Sequence, residues 1–165
     1  PMSNLSEVAG TEYVITKFHD SLSMQSYLLA LAISNFDYIP NNDVDVPQRI
    51  YAKKSSIMNG EANFIINELG PILKKCDELF GIPHALPKLD HIAVPYHVYS
   101  AMENYGLYTY AEWNILIDAM DAPQYTMLEL FAHEIAVSLN FFTIFLRIIQ
   151  NLFYLIDKKR KLPVF

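Results

Sequence analysis

Residues 100–110 read Ser-Ala-Met-Glu-Asn-Tyr-Gly-Leu-Tyr-Thr-Tyr, and the interpretation of the whole chain starts from this stretch. It places one carboxylate, Glu103, at the start of a run rich in Tyr, Thr and Leu, which favours a β-strand. Thirty residues later, His133 and Glu134 lie side by side in a segment whose apolar residues have helical spacing. We therefore expect a strand edge carrying one glutamate to face a helix carrying a His-Glu pair.

Further strands are predicted at residues 13–18, 26–34, 49–52, 89–94 and 105–117 from their β-forming composition. The run 26–34 is apolar enough for a strand buried on both faces. Two or three strands cannot satisfy both edges of a stable sheet. We therefore expect residues 1–46 to be the C-terminal strands of a larger, β-sandwich-like N-terminal domain, with a boundary in the polar cluster 40–47.

A long amphipathic helix is predicted next, because its apolar residues step by three and four. These residues are Met58, Ala62, Ile65, Ile66, Leu69, Ile72, Leu73, Cys76, Leu79 and Phe80. Gly70-Pro71 predicts a kink or a junction of two helices, and Gly81 predicts the helix end. Asp121 and Pro123 mark the start of the helix that carries His133.

Composition limits the function classes. The 165 residues are 52% hydrophobic with a net charge of −6, which indicates a folded core and makes a nucleic-acid partner unexpected. The single cysteine, Cys76, excludes an internal disulfide. We expect no secretory leader in this chain, because Pro1-Met2 is not followed by a charged and then apolar segment.

Taken alone, the His-Glu pair is a weak signal. A zinc peptidase helix needs a second histidine four residues after the first, so that both reach one metal, and position 137 is Val137. On residue types alone, His133 and Glu134 are ordinary polar helix residues and Glu103 is a surface carboxylate. The spacing of His84, His91 and His97 matches no standard metal site.

The combination of motifs is more specific than any single one. Gly81-Ile82-Pro83, residues 86–90 (Leu-Pro-Lys-Leu-Asp), residues 101–107 (Ala-Met-Glu-Asn-Tyr-Gly-Leu), Thr109-Tyr110 and residues 133–136 (His-Glu-Ile-Ala) occur in this order. Together they resemble the gluzincin zinc aminopeptidases of the aminopeptidase N (membrane alanyl aminopeptidase) type, from about residue 8 to residue 136.

The resemblance implies specific roles. Glu103 matches the glutamate that binds the free α-amino group of a peptide substrate, and Ala101, Met102 and Asn104 match the loop lining that pocket. His133 matches the first zinc ligand and Glu134 the general base. The implied fold is α+β, with the end of the β domain at 1–46 followed by the first half of a thermolysin-like catalytic domain at 47–136. The strand after Glu103 could pair with the substrate backbone.

The resemblance stops inside the zinc motif. The family has Gly where this chain has Ser100, a second histidine at Val137 and a third ligand, glutamate, at Ile156. We therefore predict that this chain has no peptidase activity alone, although its ancestry is that of a zinc aminopeptidase. The alternatives are a non-catalytic protein that binds peptide amino ends and a non-functional truncated product.

Residues 137–165 form an apolar tail unlike the family. From its composition and abrupt start, we hypothesise that this tail is translated intron sequence. The alternatives are an apolar helix that packs on the domain and a membrane segment. Arg147 in mid-span argues against membrane insertion. The resemblance further implies zinc as cofactor, a peptide with a free amino end as partner, and a parent enzyme that is often a homodimer. The compartment is left open: a plasma-membrane or extracellular parent is ranked first and a cytoplasmic one second.

Overall fold

A computed structural model of the chain describes residues 2–7, 14–18, 20–21, 23–81, 83–116 and 125–139. It confirms the predicted α+β class: helices pack on a five-stranded mixed sheet. The strands are β1 (Met2–Glu7), β2 (Val14–Phe18), β3 (Asp37–Asn41), β4 (Gln48–Ala52), β5 (Leu89–Val94), β6 (Ala101–Met102) and β7 (Leu107–Ala111). The helices are α1 (Lys54–Met58), α2 (Asn63–Phe80), α3 (Glu112–Ile115) and α4, of which residues 125–139 are described.

The strand order of the sheet is β3-β4-β5-β7-β6. Strands β4, β5 and β7 are parallel to one another, whereas β3 and β6 pair antiparallel at the two edges. Strands β1 and β2 form a separate antiparallel pair. The two-residue strand β6 is thus an edge strand, and Glu103 follows it directly.

Alternation along the strands gives the sheet two different faces. The inner face holds the core, in which Ile50, Tyr108 and Tyr110 are fully buried against residues of α2 and α4 such as Leu69 and Phe131. The outer face carries Ile92 and Thr109, among other residues, and the chain segment 30–36 lies beside it, sharing a cavity of about 300 Å³ with those two residues.

Helix α2 follows much of the predicted stripe, since Ile65, Leu69, Leu73 and Cys76 are all buried. Its end is as predicted: Gly81 has φ +67°, and its N–H donates to the Asp77 carbonyl at 2.9 Å. The helix is not divided at Gly70-Pro71, because α2 continues through Pro71 to Phe80.

The prediction of a buried stripe is wrong at two residues. Met58 and Leu79 are both exposed. Met58 ends α1, a separate short helix, so it is not continuous with the buried face of α2.

The predicted strand at 26–34 is also wrong. Residues Ser26–Leu28 form a 3₁₀ turn, and residues 29–36 have no regular secondary structure. Leu31 is 77% exposed and Ile33 91% exposed. An apolar run becomes a buried strand only if it finds strand partners, and this segment has no place in the hydrogen-bonded order of the sheet.

The sheet includes chain from both sides of the boundary predicted at residues 46 and 47, since β3 pairs with β4. The division into domains stays a prediction. The predicted start of α4 at Asp121 and Pro123, and the tail from residue 140 onward, lie outside the described residues.

Candidate amino-end recognition site

Residues 101–106, which we call the edge loop, carry the first part of the site. In the hairpin, Ala101 pairs with Tyr110 and Met102 with Thr109. The chain then reverses in a turn in which the Leu107 N–H donates to the Asn104 carbonyl at 3.2 Å. Gly106 occupies the third position of this turn with φ +83°, a conformation typical of glycine in type II turns.

Within the edge loop, Ala101, Met102 and Glu103 are half-buried. Among the described strands, β6 pairs only with β7, so its other side is an edge. An edge strand offers unpaired backbone groups to which an extended peptide can bind. The predicted substrate-binding residues Ala101 and Met102 therefore lie where an added strand would pair.

Asn104 differs from its neighbours because its side chain points into the protein. It is 7% exposed, its Nδ2 donates to the Tyr27 carbonyl at 3.3 Å, and its Oδ1 accepts from the Thr109 hydroxyl at 2.9 Å. The next backbone amide, that of Tyr105, donates to the Leu28 carbonyl at 2.9 Å. These bonds fix the edge loop from behind.

Helix α4 carries the second part of the site. Glu134 is buried, with 5% exposure, whereas His133 is exposed. Burial raises the pKa of Glu134 to about 6; His133 opposes this rise, and the nearby Glu103 carboxylate adds to it. Glu103 and Glu134, 31 positions apart in the sequence, are thus close enough for their charges to interact, and the roles expected of them stay predictions.

The sequence did not single out His91 of β5, whose ring packs the sheet against α4. It is fully buried on the inner face, with Nε2 3.1 Å from Gln48 Oε1 and Nδ1 3.3 Å from the Tyr110 hydroxyl. Its ring also contacts Phe131 of α4. Burial, and the nearby His84, lower the pKa of His91 to about 3.

The described residues do not fit a catalytic zinc ion. Such a site uses three protein ligands, and no group of three or more His, Cys, Asp or Glu side chains able to hold a metal occurs in the described part of the chain. One turn beyond His133, the half-buried Val137 offers no donor atom. The residue expected to be the third ligand, Ile156, lies outside the described residues.

The chain is similar to known peptidases. A family model described as the peptidase family M1 domain matches residues 64–138. Over 132 residues the chain is 34% identical to aminopeptidase Q of Mus musculus, covering 78% of this chain and 24% of that protein. The chain belongs to peptidase family M1. This family is a family of zinc metallopeptidases. Valine at position 137, where the resemblance implies a histidine ligand, therefore bears on whether this chain can bind the metal.

Other relatives carry related names. Aminopeptidase N of Homo sapiens is 36% identical over 126 residues, which are 74% of this chain and 13% of that protein. The thyrotropin-releasing hormone-degrading ectoenzyme of Rattus norvegicus is 36% identical over 107 residues, or 64% of this chain and 10% of that protein. The chain thus spans about a quarter or less of the length of these curated relatives. None of the helices in the described ranges has both the length and the hydropathy of a membrane span.

Proposed function

We propose that this chain provides the part of an M1 aminopeptidase that binds the free amino end of a peptide. The observation that carries the proposal is the edge loop, in which the half-buried Glu103 directly follows the edge strand β6 and Asn104 is held by hydrogen bonds to Thr109 and Tyr27. On this proposal, Glu103 binds the α-ammonium group and Ala101 and Met102 border the pocket. Family membership makes peptides the expected substrates.

The electrostatics favour an ammonium ligand. The Glu103 charge disfavours the ionisation of Glu134, and a cation bound near both carboxylates relieves this repulsion. A charge-assisted hydrogen bond from an ammonium to a carboxylate is also stronger than a neutral one. An acetylated amino end carries no positive charge, so the site distinguishes free amino ends from internal or blocked peptide groups.

We further propose that the sheet with α2 and α4 is the first half of a thermolysin-like domain. Support comes from the family match over residues 64–138 and from the packing of α4 residues with those of the mixed sheet in one core. By descent, His133 is the remaining metal position and Glu134 the general base. Since the described donors do not fit zinc, no hydrolytic step is assigned to this chain.

Val137 favours amino-end binding without hydrolysis over the rival candidate, a working peptidase, because it removes the second ligand and leaves the edge loop intact. Hydrolysis of amino-acid anilides with added zinc separates the two candidates. We expect no turnover above that of Glu134→Ala, and turnover that the substitution abolishes would show that this chain is a working peptidase.

The binding proposal is tested with Glu103→Gln, which keeps the shape of the side chain and removes its charge. We expect this variant to bind a short free-amino peptide about 10- to 100-fold more weakly than the unchanged chain, by fluorescence anisotropy. The matched control is Glu129→Gln, at an exposed glutamate of α4. Equal affinities of the Glu103 variant and the unchanged chain would refute the role of Glu103.

A further inference from the structure

We propose that His97 is a positioning residue: acting through Thr109 and Asn104, it holds the edge loop in the geometry that presents Glu103. The inference rests on the proposed function for its consequence in peptide binding. Its structural part stands on hydrogen bonds of the described residues alone.

The three side chains form one continuous series on the outer side of the sheet. His97 Nε2 lies 2.9 Å from Thr109 Oγ1, and Thr109 Oγ1 lies 2.9 Å from Asn104 Oδ1. The Asn104 Nδ2 then donates to the Tyr27 carbonyl at 3.3 Å. His97, before β6, is thereby joined to the 3₁₀ turn at residues 26–28.

The direction of each hydrogen bond follows from the donors available. Since the Asn104 amide nitrogen donates to Tyr27, its carbonyl oxygen must accept the single proton of the Thr109 hydroxyl. The hydroxyl oxygen has then only lone pairs left for His97. His97 Nε2 must therefore carry a proton and donate it to Thr109.

The other ring nitrogen of His97 is held by its own loop. Nδ1 accepts from the Tyr99 N–H at 3.1 Å, and it also lies 2.7 Å from the Tyr99 carbonyl, a contact that becomes a hydrogen bond if this nitrogen is protonated. Both contacts hold the ring orientation that aims Nε2 at Thr109. The imidazole is thus a fixed donor at the start of the series.

Adjacent residues of the edge loop face opposite sides of the sheet. Glu103 interacts with Glu134 of α4, on the inner side, whereas Asn104 bonds to Thr109, on the outer side. Fixing the Asn104 side chain therefore restrains the peptide unit that Glu103 shares with it. The anchor of the amino-end site lies behind the sheet, away from the ligand.

Thr109→Val tests the series, because it replaces the hydroxyl by a methyl of similar size. Native-state hydrogen exchange of the Tyr105 amide, which donates to the Leu28 carbonyl, measures whether the loop is held. We expect exchange about fivefold faster in Thr109→Val and His97→Leu, with amides of β4 unchanged. Thr109→Ser and His97→Gln, which keep a donor at each position, should restore the slow exchange.

Unchanged exchange at Tyr105 in both Thr109→Val and His97→Leu would overturn the proposal, as would an equal increase throughout the sheet. The same variants should bind a free-amino peptide about fivefold more weakly and an acetylated peptide without change. If the unchanged chain shows no preference for the free amino end, the proposed function fails, and the exchange result still decides the role of His97. If that preference exists and Thr109→Val retains it in full, the positioning proposal fails and the proposed function stands.

Discussion

The edge loop and the segment of α4 around His133 are the two parts of the site, and they differ in how completely they are built. Backbone and side-chain hydrogen bonds at Asn104, Tyr105 and Leu107 fix the chain directly after Glu103. On α4, His133 is exposed, and the side chain of Val137 has no atom that could coordinate a metal. The comparison separates recognition from metal binding within one site.

The difference follows from the number of residues that each task requires. Recognition of an ammonium group needs one carboxylate held in place by a rigid loop. A catalytic zinc site needs three ligands that converge from separate positions. One change, such as valine at position 137, therefore removes the metal site while the amino-end site keeps all of its predicted residues.

The largest expected effect concerns His91 of β5, whose ring contacts both Tyr110 of β7 and Phe131 of α4. Its folded pKa of about 3 lies below its ordinary value of 6.5, so the unfolded chain takes up the proton first as the pH falls. Stability present above pH 6.5 is then lost progressively toward pH 3. The full loss from this residue is about 5 kcal/mol.

Urea denaturation from pH 7.5 to about pH 4.5 measures this loss, of which about 3 kcal/mol falls within that range. His91→Gln should be less stable at neutral pH and should lose most of the acid slope. Asn67→Gln, at an exposed and uncharged side chain of α2, is the control and should leave the slope unchanged. An unaltered slope in the His91 variant would show that this buried ring is not the source of the acid sensitivity.

A smaller effect is expected at the turn of the edge loop. Gly106→Ala should reduce the free energy of unfolding by about 2 kcal/mol, because alanine is strained at φ +83° and its Cβ would lie 3.0 Å from Leu86 Cδ1. Gly81→Ala has similar strain at φ +67° with nothing within 4 Å, so it should cost about 1 kcal/mol. Equal losses in urea denaturation would mean that the contact with Leu86 does not constrain the edge loop.

The smallest effect distinguishes the two carboxylates. Because the pKa of Glu134 is raised from 4.5 to about 6, the unfolded chain loses this proton at a lower pH than the folded protein. The stability it contributes below pH 4.5 is therefore lost as the pH rises through 6. Against Glu134→Gln, the loss should be about 1 kcal/mol, since water near the site screens part of the effect.

The Glu103→Gln chain refines this last prediction. Removing the charge of Glu103 should lower the pKa of Glu134 and reduce the loss, because Glu103 is one of the causes of the shift. The matched substitution Glu129→Gln should leave it unchanged. If Glu103→Gln has no effect on the pH dependence, the two carboxylates do not face each other in solution.

The local sequence pattern was sufficient to predict the bounds of elements that depend mainly on residues close in sequence. Strand β5 has the predicted bounds, and α2 ends at Gly81 as expected from a glycine that adopts a left-handed conformation. The run 26–34 shows the limit of this reasoning. Its hydrophobicity is compatible with a strand, but only the sheet decides whether a partner is present.

Some features of the candidate site could likewise be expected from the sequence, and others could not. The layout that faces Glu103 with Glu134 could be expected from a strand edge followed by a helix. The hydrogen-bonded series from His97 through Thr109 to Asn104 and Tyr27 could not be expected from the sequence. It depends on a hydrogen bond between Asn104 and Tyr27, which are 77 positions apart. Neither could the burial of His91, since a histidine on a strand gives no sign of which face it will occupy.

The most direct test of the account is the affinity of the chain for one short peptide in two forms, with a free and with an acetylated amino end, measured by titration calorimetry in a metal chelator. Our account predicts that the free form binds at least about tenfold more tightly without any metal, since one ammonium–carboxylate contact supplies that difference. Equal affinities, or a preference that appears only after zinc is added, would contradict the claim that amino-end recognition is complete in this chain while its metal site is not.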